Sequence, residues 1–339
     1  MGWLAIWDGR RLTHLDRHAR DADLSQGTVR FEMSLRGEVQ VPVILWQGRT
    51  GTPRDLRILC RPDGVISLEH GGLLFESDPG FVYAGEPIVL HYSWDREGRA
   101  DLLSMTNSQT GAHLTLRPGC HAPRHLSEIV PETPGRAVSV AYAGLANHPL
   151  PPHPLPGLSG TTRLQIPGGT RPVEALKPGM EVLTAGGKPE TIRWIGTTEH
   201  MARGICAPIL LRAPYFGLDN DILVSRSQRL CLSGCEVDYL FGVEKVLAKV
   251  DDIRRANSAQ IDLSSPTFTS YHLLLDDHEC LLSGRCALDS NLLGEVLEAC
   301  GKSTATLAGE DLAPAWPVID RAGAQAYLDM LSQNRPAAA

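Results

Sequence analysis

Residues able to do chemistry fall in a few short stretches of this chain. In PPHPLPGLSGTTRLQIPGG, Pro151 to Gly169, a proline-rich run stops at Gly157 and a segment bearing Ser159, Thr161 and Thr162 begins. Hydroxyls so placed satisfy backbone groups of a turn and a strand start. To attack the carbonyl of Pro156, Ser159 would have to close a large, strained ring. In DDHE, 276–279, His278 stands among three acids. Histidine changes charge near neutrality, so His278 reads either as a polar-site residue or as a side chain bonded locally to Asp276 or a backbone carbonyl. His14 and His18 sit i, i+4 in THLDRHARD, a spacing that lets two histidines of a helix share a metal. No third ligand or general base accompanies them, so they read as solvated surface residues. The cysteines are scattered at 60, 120, 206, 231, 235, 280, 286 and 300. The spacings Cys231-x3-Cys235 and Cys280-x5-Cys286 are poor for a structural zinc, and the thiols read as free and mostly buried. There is no glycine-rich phosphate loop and no serine-hydrolase elbow. No cofactor and no metal are expected.

Short strands must position these residues. Val29, Phe31, Met33 and Leu35 alternate with Arg30, Glu32, Ser34 and Arg36, the period of a half-buried strand. RILCRPDGVISLE places two strand-like runs around Asp63-Gly64. GEPIVLHYSWD is another strand, and DLLSMTNSQTGAHLTL turns at Gln109–Gly111. Strands at such regular spacing, with almost no helical period, predict a β-sandwich over residues 25–118, after an N-terminal segment 1–24. The Pro- and His-rich stretch 119–156, with His121, His125, His148 and His153, reads as an interdomain linker. Past Gly157 the strand rhythm returns, with glycine turns at Gly168-Gly169, Lys177–Gly179 and Gly186-Gly187. After Asn291, LLGEVLEACG and DRAGAQAYLDMLSQ bring helical spacing, and residues 295–339 read as a helical C-terminal tail.

A chain of 339 residues holds roughly two domains at about 150 residues each. The net charge of −7 argues against a nucleic-acid binder. No window approaches the ~20 apolar residues of a membrane span. MGWLAIWDGRRLTHLD does not resemble a Sec signal peptide, so the protein is expected in the cytoplasm by default, with a non-Sec export route open.

The second half resembles the Hint (hedgehog/intein) family, in the version seen on multidomain bacterial proteins. Those domains begin with a motif like C-F-T-x-G-T-R-I and continue G-x-x-P-V-E-x-L-x-P-G-D-x-V-L-T. Here stand GLSGTTRL and GGTRPVEALKPGMEVLT. IRWIG (192–196), API (207–209), DILVSRSQRL (221–230), LFGVEKVLAKV (240–250) and YHLLLDDHECLLSG (271–284) follow in the family's order. The resemblance covers residues 157–294 and implies an all-β Hint-type fold with a short helical tail. It also implies an acyl shift. A Cys or Ser at the first position attacks the preceding carbonyl, and a histidine protonates the departing amide nitrogen. Residue by residue, the nucleophile position falls on Gly157, so the scissile pair would be Pro156-Gly157. The histidine of V-S-P-Q-H-R falls on Gln228, which donates hydrogen bonds but no proton at neutral pH. Ser225 and Arg229 match, and the D-x-H element survives as Asp276 and His278. The expectation is a self-cleaving scaffold without its nucleophile and acid, left with a structural or binding role. Self-cleavage at Pro156-Gly157 by a substitute nucleophile is the alternative. The first half more faintly resembles concanavalin/laminin-G-like jelly rolls through GEPIVLHYSWD and its hairpin. Such folds often bind glycans, so a glycan-binding module is a further alternative, and the partner is an unknown protein or glycan. Trp46, Tyr92, Trp94 and Asp95 read as core and turn residues.

Overall fold

A computed structural model describes residues 2–7, 12–15, 23–95, 97, 100–117, 124–129, 138–299 and 313–333. It is all-β with short helices and divides into two compact units, Met1–Pro152 and His153–Ala339.

The first unit is a jelly-roll-like sandwich. Its larger sheet has seven strands in the spatial order His113–Leu116, Ala100–Asn107, Pro87–Asp95, Gln26–Leu35, Val138–Ala146, Trp3–Trp7, Leu12–Leu15. Facing it is a meander of four, Val43–Gln47, Arg57–Cys60, Ile66–His70 and Leu73–Glu76, and Asp23–Leu24 pairs with Arg124–His125 in a small two-stranded sheet. Alternation along Gln26–Leu35 sends Val29, Phe31, Met33 and Leu35 into the shared core. There Phe31 stacks on Trp46 of the opposite sheet with ring centroids 5.0 Å apart. Trp46, Tyr92 and Trp94 are buried, and the indole N–H groups of Trp46 and Trp94 donate to the carbonyls of Ile129 and Leu24. The turns at Gly64 (φ 78°) and Gly111 (φ 76°) need a left-handed backbone, which glycine adopts without strain.

Two boundaries differ from the sequence reading. Trp3–Trp7 lies inside the segment 1–24 and Val138–Ala146 inside the linker 119–156, yet both are strands of the large sheet, paired with each other. VSVAYAGLA is built from small residues between proline-dense flanks, and its partners lie more than a hundred residues away, so nothing local marks it. The following run is not a free linker either. Thr28 donates through Oγ1 to the His148 carbonyl and accepts the Leu150 N–H, both at 2.8 Å. His91 Nε2 bonds the Leu150 carbonyl at 2.9 Å, and Arg30 donates to the carbonyls of Pro151 and Pro152. A third difference concerns His14, which lies in the strand Leu12–Leu15 rather than a helix, while His18 lies outside the described residues.

The second unit has a seven-stranded sheet ordered Glu181–Leu183, Pro189–Met201, Thr267–Leu275, Leu158–Ser159, Ile222–Val224, Ile209–Leu211, Ala259–Ile261. A five-stranded sheet runs Cys280–Ser283, Cys286–Asp289, Arg229–Ser233, Lys245–Lys249, Val318–Ile319, and Arg163–Ile166 with Gly169–Pro172 form a hairpin. Helices Leu293–Ala299 and Arg321–Gln333 close the described tail, with Ala324 and Leu328 buried in the core. Among the described residues no helix is long and apolar enough to cross a membrane.

Candidate functional site

The two-residue strand Leu158–Ser159 is wedged between two others. Leu158 pairs with Val224 on one side and Tyr271 on the other. One step back along the antiparallel register, Gly157 must face Ser225 and His272. The bonds agree, since Ser225 N–H donates to the Gly157 carbonyl at 2.9 Å and Ser225 Oγ donates to the Leu155 carbonyl at 2.9 Å. The carbonyl of Pro156, the group an acyl shift would attack, accepts from His272 Nδ1 at 2.7 Å and from Asn291 Nδ2 at 2.9 Å.

The tautomer of His272 follows from its partners. A carbonyl oxygen only accepts, so Nδ1 carries the hydrogen. Nε2 lies 3.1 Å from Thr198 Oγ1 and 3.2 Å from Ser270 Oγ. Ser270 Oγ donates to the Thr198 carbonyl, which leaves the Thr198 hydroxyl as donor to Nε2. Burial lowers the His272 pKa from the usual 6.5, while the bond to Pro156 works the other way. The ring is therefore a neutral N–H donor. Asn291 is fixed from its other end, because its Oδ1 accepts the Leu273 N–H at 2.8 Å. Two N–H groups held at these distances polarise the carbonyl much as an oxyanion hole does.

The remaining predicted residues lie elsewhere. Gln228 is buried, and its amide donates to the carbonyls of Arg229 and Asp289 at 3.0 and 2.9 Å, so its donors are turned away from Pro156. Arg229 is buried against Asp289 and grips Glu295 through both terminal nitrogens, at 2.9 and 3.1 Å. Asp276 is exposed. His278 lies past the strand end. Its Nδ1 accepts the Ala315 N–H at 3.0 Å, and its Nε2 is 3.0 Å from Asp289 Oδ1 without hydrogen-bond alignment. Ser159 is occupied by Thr162 and Thr161 hydroxyls at 2.9 and 3.3 Å. Cys231, Cys235, Cys280 and Cys286 are free thiols, and no group of three potential metal ligands comes together among the described residues.

His272 and Asn291 were legible only indirectly. His272 sits in HLLL, the strand just before DDHE, and period two aligns it with Ser270 on the face toward Leu158–Ser159. The nearby D-x-H pattern drew attention to His278 instead.

Residues 156–295 match the family model described as Hint domain. The second unit is a Hint-type domain behind a jelly-roll-like first unit. Solved structures with similarity to the chain include the MchDnaB-1 intein, at 14% identity with 40% of this chain and 99% of that chain covered, TM-score 0.27. The Msm DnaB1 intein splicing domain bound with zinc is 12% identical over 40% and 99%, TM-score 0.27. The Ruminococcus gnavus IT-sialidase CBM40 bound to alpha2,3 sialyllactose is 16% identical over 44% and 89%, TM-score 0.28. A comparison with curated proteins gave no match. The match to the Hint family thus lies within the second of two all-β units.

Proposed function

We propose that this Hint-type domain holds the Pro156–Gly157 bond without cutting it and serves a structural or binding role. The carrying observation is at Gly157. It has no side chain, and a Cβ built there would lie 2.9 Å from both His272 Cε1 and Ser270 Cβ. The space a nucleophile needs is filled. Carbonyl polarisation by His272 and Asn291 then orients the segment, since Gly157 brings no attacking side chain to it. The first unit adds a sandwich to which fold alone assigns no ligand. Intact mass after prolonged incubation with a small thiol tests the reading. One species at 36.8 kDa is expected. Two fragments joined at Pro156/Gly157 would overturn it in favour of cleavage by a substitute nucleophile.

A further inference from the structure

On the five-stranded sheet of the second unit, Leu230, Leu281, Cys286 and Leu288 face the core. Alternation turns Cys231, Ala287 and Cys280 to the other face. Cys231 pairs with Ala287 and Cys280 with Asp289, so the two cysteines flank the strand Cys286–Asp289 on a diagonal. Ala287, which lies between them, carries only a methyl group. There the Cys280 S–H donates to the Cys231 sulfur, which lowers the Cys231 thiol and raises that of Cys280. Cys280 is buried and Cys231 half-buried, so the pair is reached from the Cys231 side. We infer that Cys231 and Cys280 together bind one soft monovalent metal ion, copper(I), in two-coordinate geometry.

A disulfide does not suit this pair. The cysteines stand on strands that are not neighbours, so their Cα atoms are separated by about twice the ~4.8 Å strand spacing, beyond the ~7 Å that a disulfide spans. An ion between the sulfurs replaces one S–S bond of ~2.05 Å by two metal–sulfur bonds of roughly 2.3 Å each. Zinc in a structural site asks for four ligands. No group of three potential ligands forms among the described residues, which leaves zinc short. Thiolates select copper(I) among soft ions, and two of them complete a linear site. Binding is a proton exchange without redox change. Two thiols and one copper(I) ion give a bis-thiolate complex with one negative charge, and both thiol protons leave to water. Lys245, on the neighbouring strand Lys245–Lys249, already lowers Cys231 through its charge and offsets the new anion. It is held in place by the Ala185 carbonyl at 3.1 Å and by the Trp316 ring. Asp289 and Glu279 act in the opposite sense, but Asp289 is paired with Arg229.

The test is anaerobic titration of the full chain with copper(I) against a chromophoric copper(I) chelator. A Cys235→Ser background removes the exposed thiol. One ion is expected at this site, with a two-coordinate copper–sulfur signature in X-ray absorption. Cys231→Ser and Cys280→Ser should each weaken it by more than the roughly 10–100-fold that loss of an outer partner costs. Lys245→Met should weaken it about tenfold. Cys286→Ala, on the core face, should leave it unchanged, and zinc in equal amount should not displace the copper. Circular dichroism separates loss of a ligand from loss of the fold. Should buried Cys280→Ser fail to fold, half-buried Cys231→Ser decides alone. Unchanged affinity in folded Cys231→Ser, a three-coordinate signature, or zinc bound as tightly as copper would overturn the assignment.

Discussion

Placing a methyl group on Gly157 is the sharpest available perturbation. In ordinary extended backbone, Gly→Ala stabilises by about 0.4–1 kcal/mol, because the unfolded chain loses freedom. Gly157 has no positive φ that would forbid alanine. Sterics decide the sign. The new Cβ would meet His272 Cε1 and Ser270 Cβ at 2.9 Å and His272 Nδ1 at 3.0 Å, well inside the ~3.5–4.0 Å of carbon contacts. The ring cannot step aside cheaply, because Nδ1 is held by Pro156 at 2.7 Å and Nε2 lies 3.1 Å from the Thr198 hydroxyl. Overpacking of this kind costs about 1–3 kcal/mol. At about 2–4 °C per kcal/mol for a unit of this size, Gly157→Ala should lower the melting temperature by roughly 2–12 °C. Gly157→Cys should fall at least as far and show no thiol-induced cleavage. Gly157→Cys with Ser270→Gly, which removes one of the three contacts, should recover part of the loss. The assays are thermal denaturation and intact mass. A Gly157→Ala protein melting at or above the parent temperature would show that the space exists and refute the reasoning.

Two more outcomes follow from the same residues. His272 is buried with a lowered pKa, so below its usual 6.5 the unfolded chain binds the proton that the folded one refuses, and stability is lost as pH falls toward the folded pKa. His272→Gln removes that titration while keeping an N–H donor; between about pH 7 and pH 5 its stability should decline less steeply than the parent's, and equal slopes in denaturant titrations would contradict the assignment. Arg229→Leu leaves Asp289 buried and uncompensated, and urea unfolding should show a loss of about 3–5 kcal/mol, whereas a neutral result would mean that the ion pair has no net role.

What the sequence made legible was local. Period-two alternation placed Phe31 and Met33 in a core, and positive-φ glycines such as Gly64 and Gly179 marked turns. Residue-by-residue matching drew attention to Gly157 and Ser225, which share a backbone hydrogen bond. The misplaced residues depend on pairing between distant segments. Gln228 takes the family's histidine position in VSRSQR, but where its side chain points was not legible there: the turn closed by Gln228 N–H on the Ser225 carbonyl carries its amide toward Arg229 and Asp289. His272 and Asn291 converge on one carbonyl only because a two-residue strand is inserted beside Tyr271, 113 positions from Leu158, a register that no window of sequence contains.

The proline-dense run also bears on how the chain would meet a protease. It has the composition of an exposed interdomain segment, the usual place for nicking. Yet the carbonyls of His148, Leu150, Pro151 and Pro152 are engaged by the first unit, and those of Leu155, Pro156 and Gly157 by the second. A protease must draw several residues of backbone into its own groove, so it reaches this stretch only through local opening that breaks those bonds together. The part of the chain that most resembles a place to cut is bolted to folded sheet on either side of His153 and Pro154.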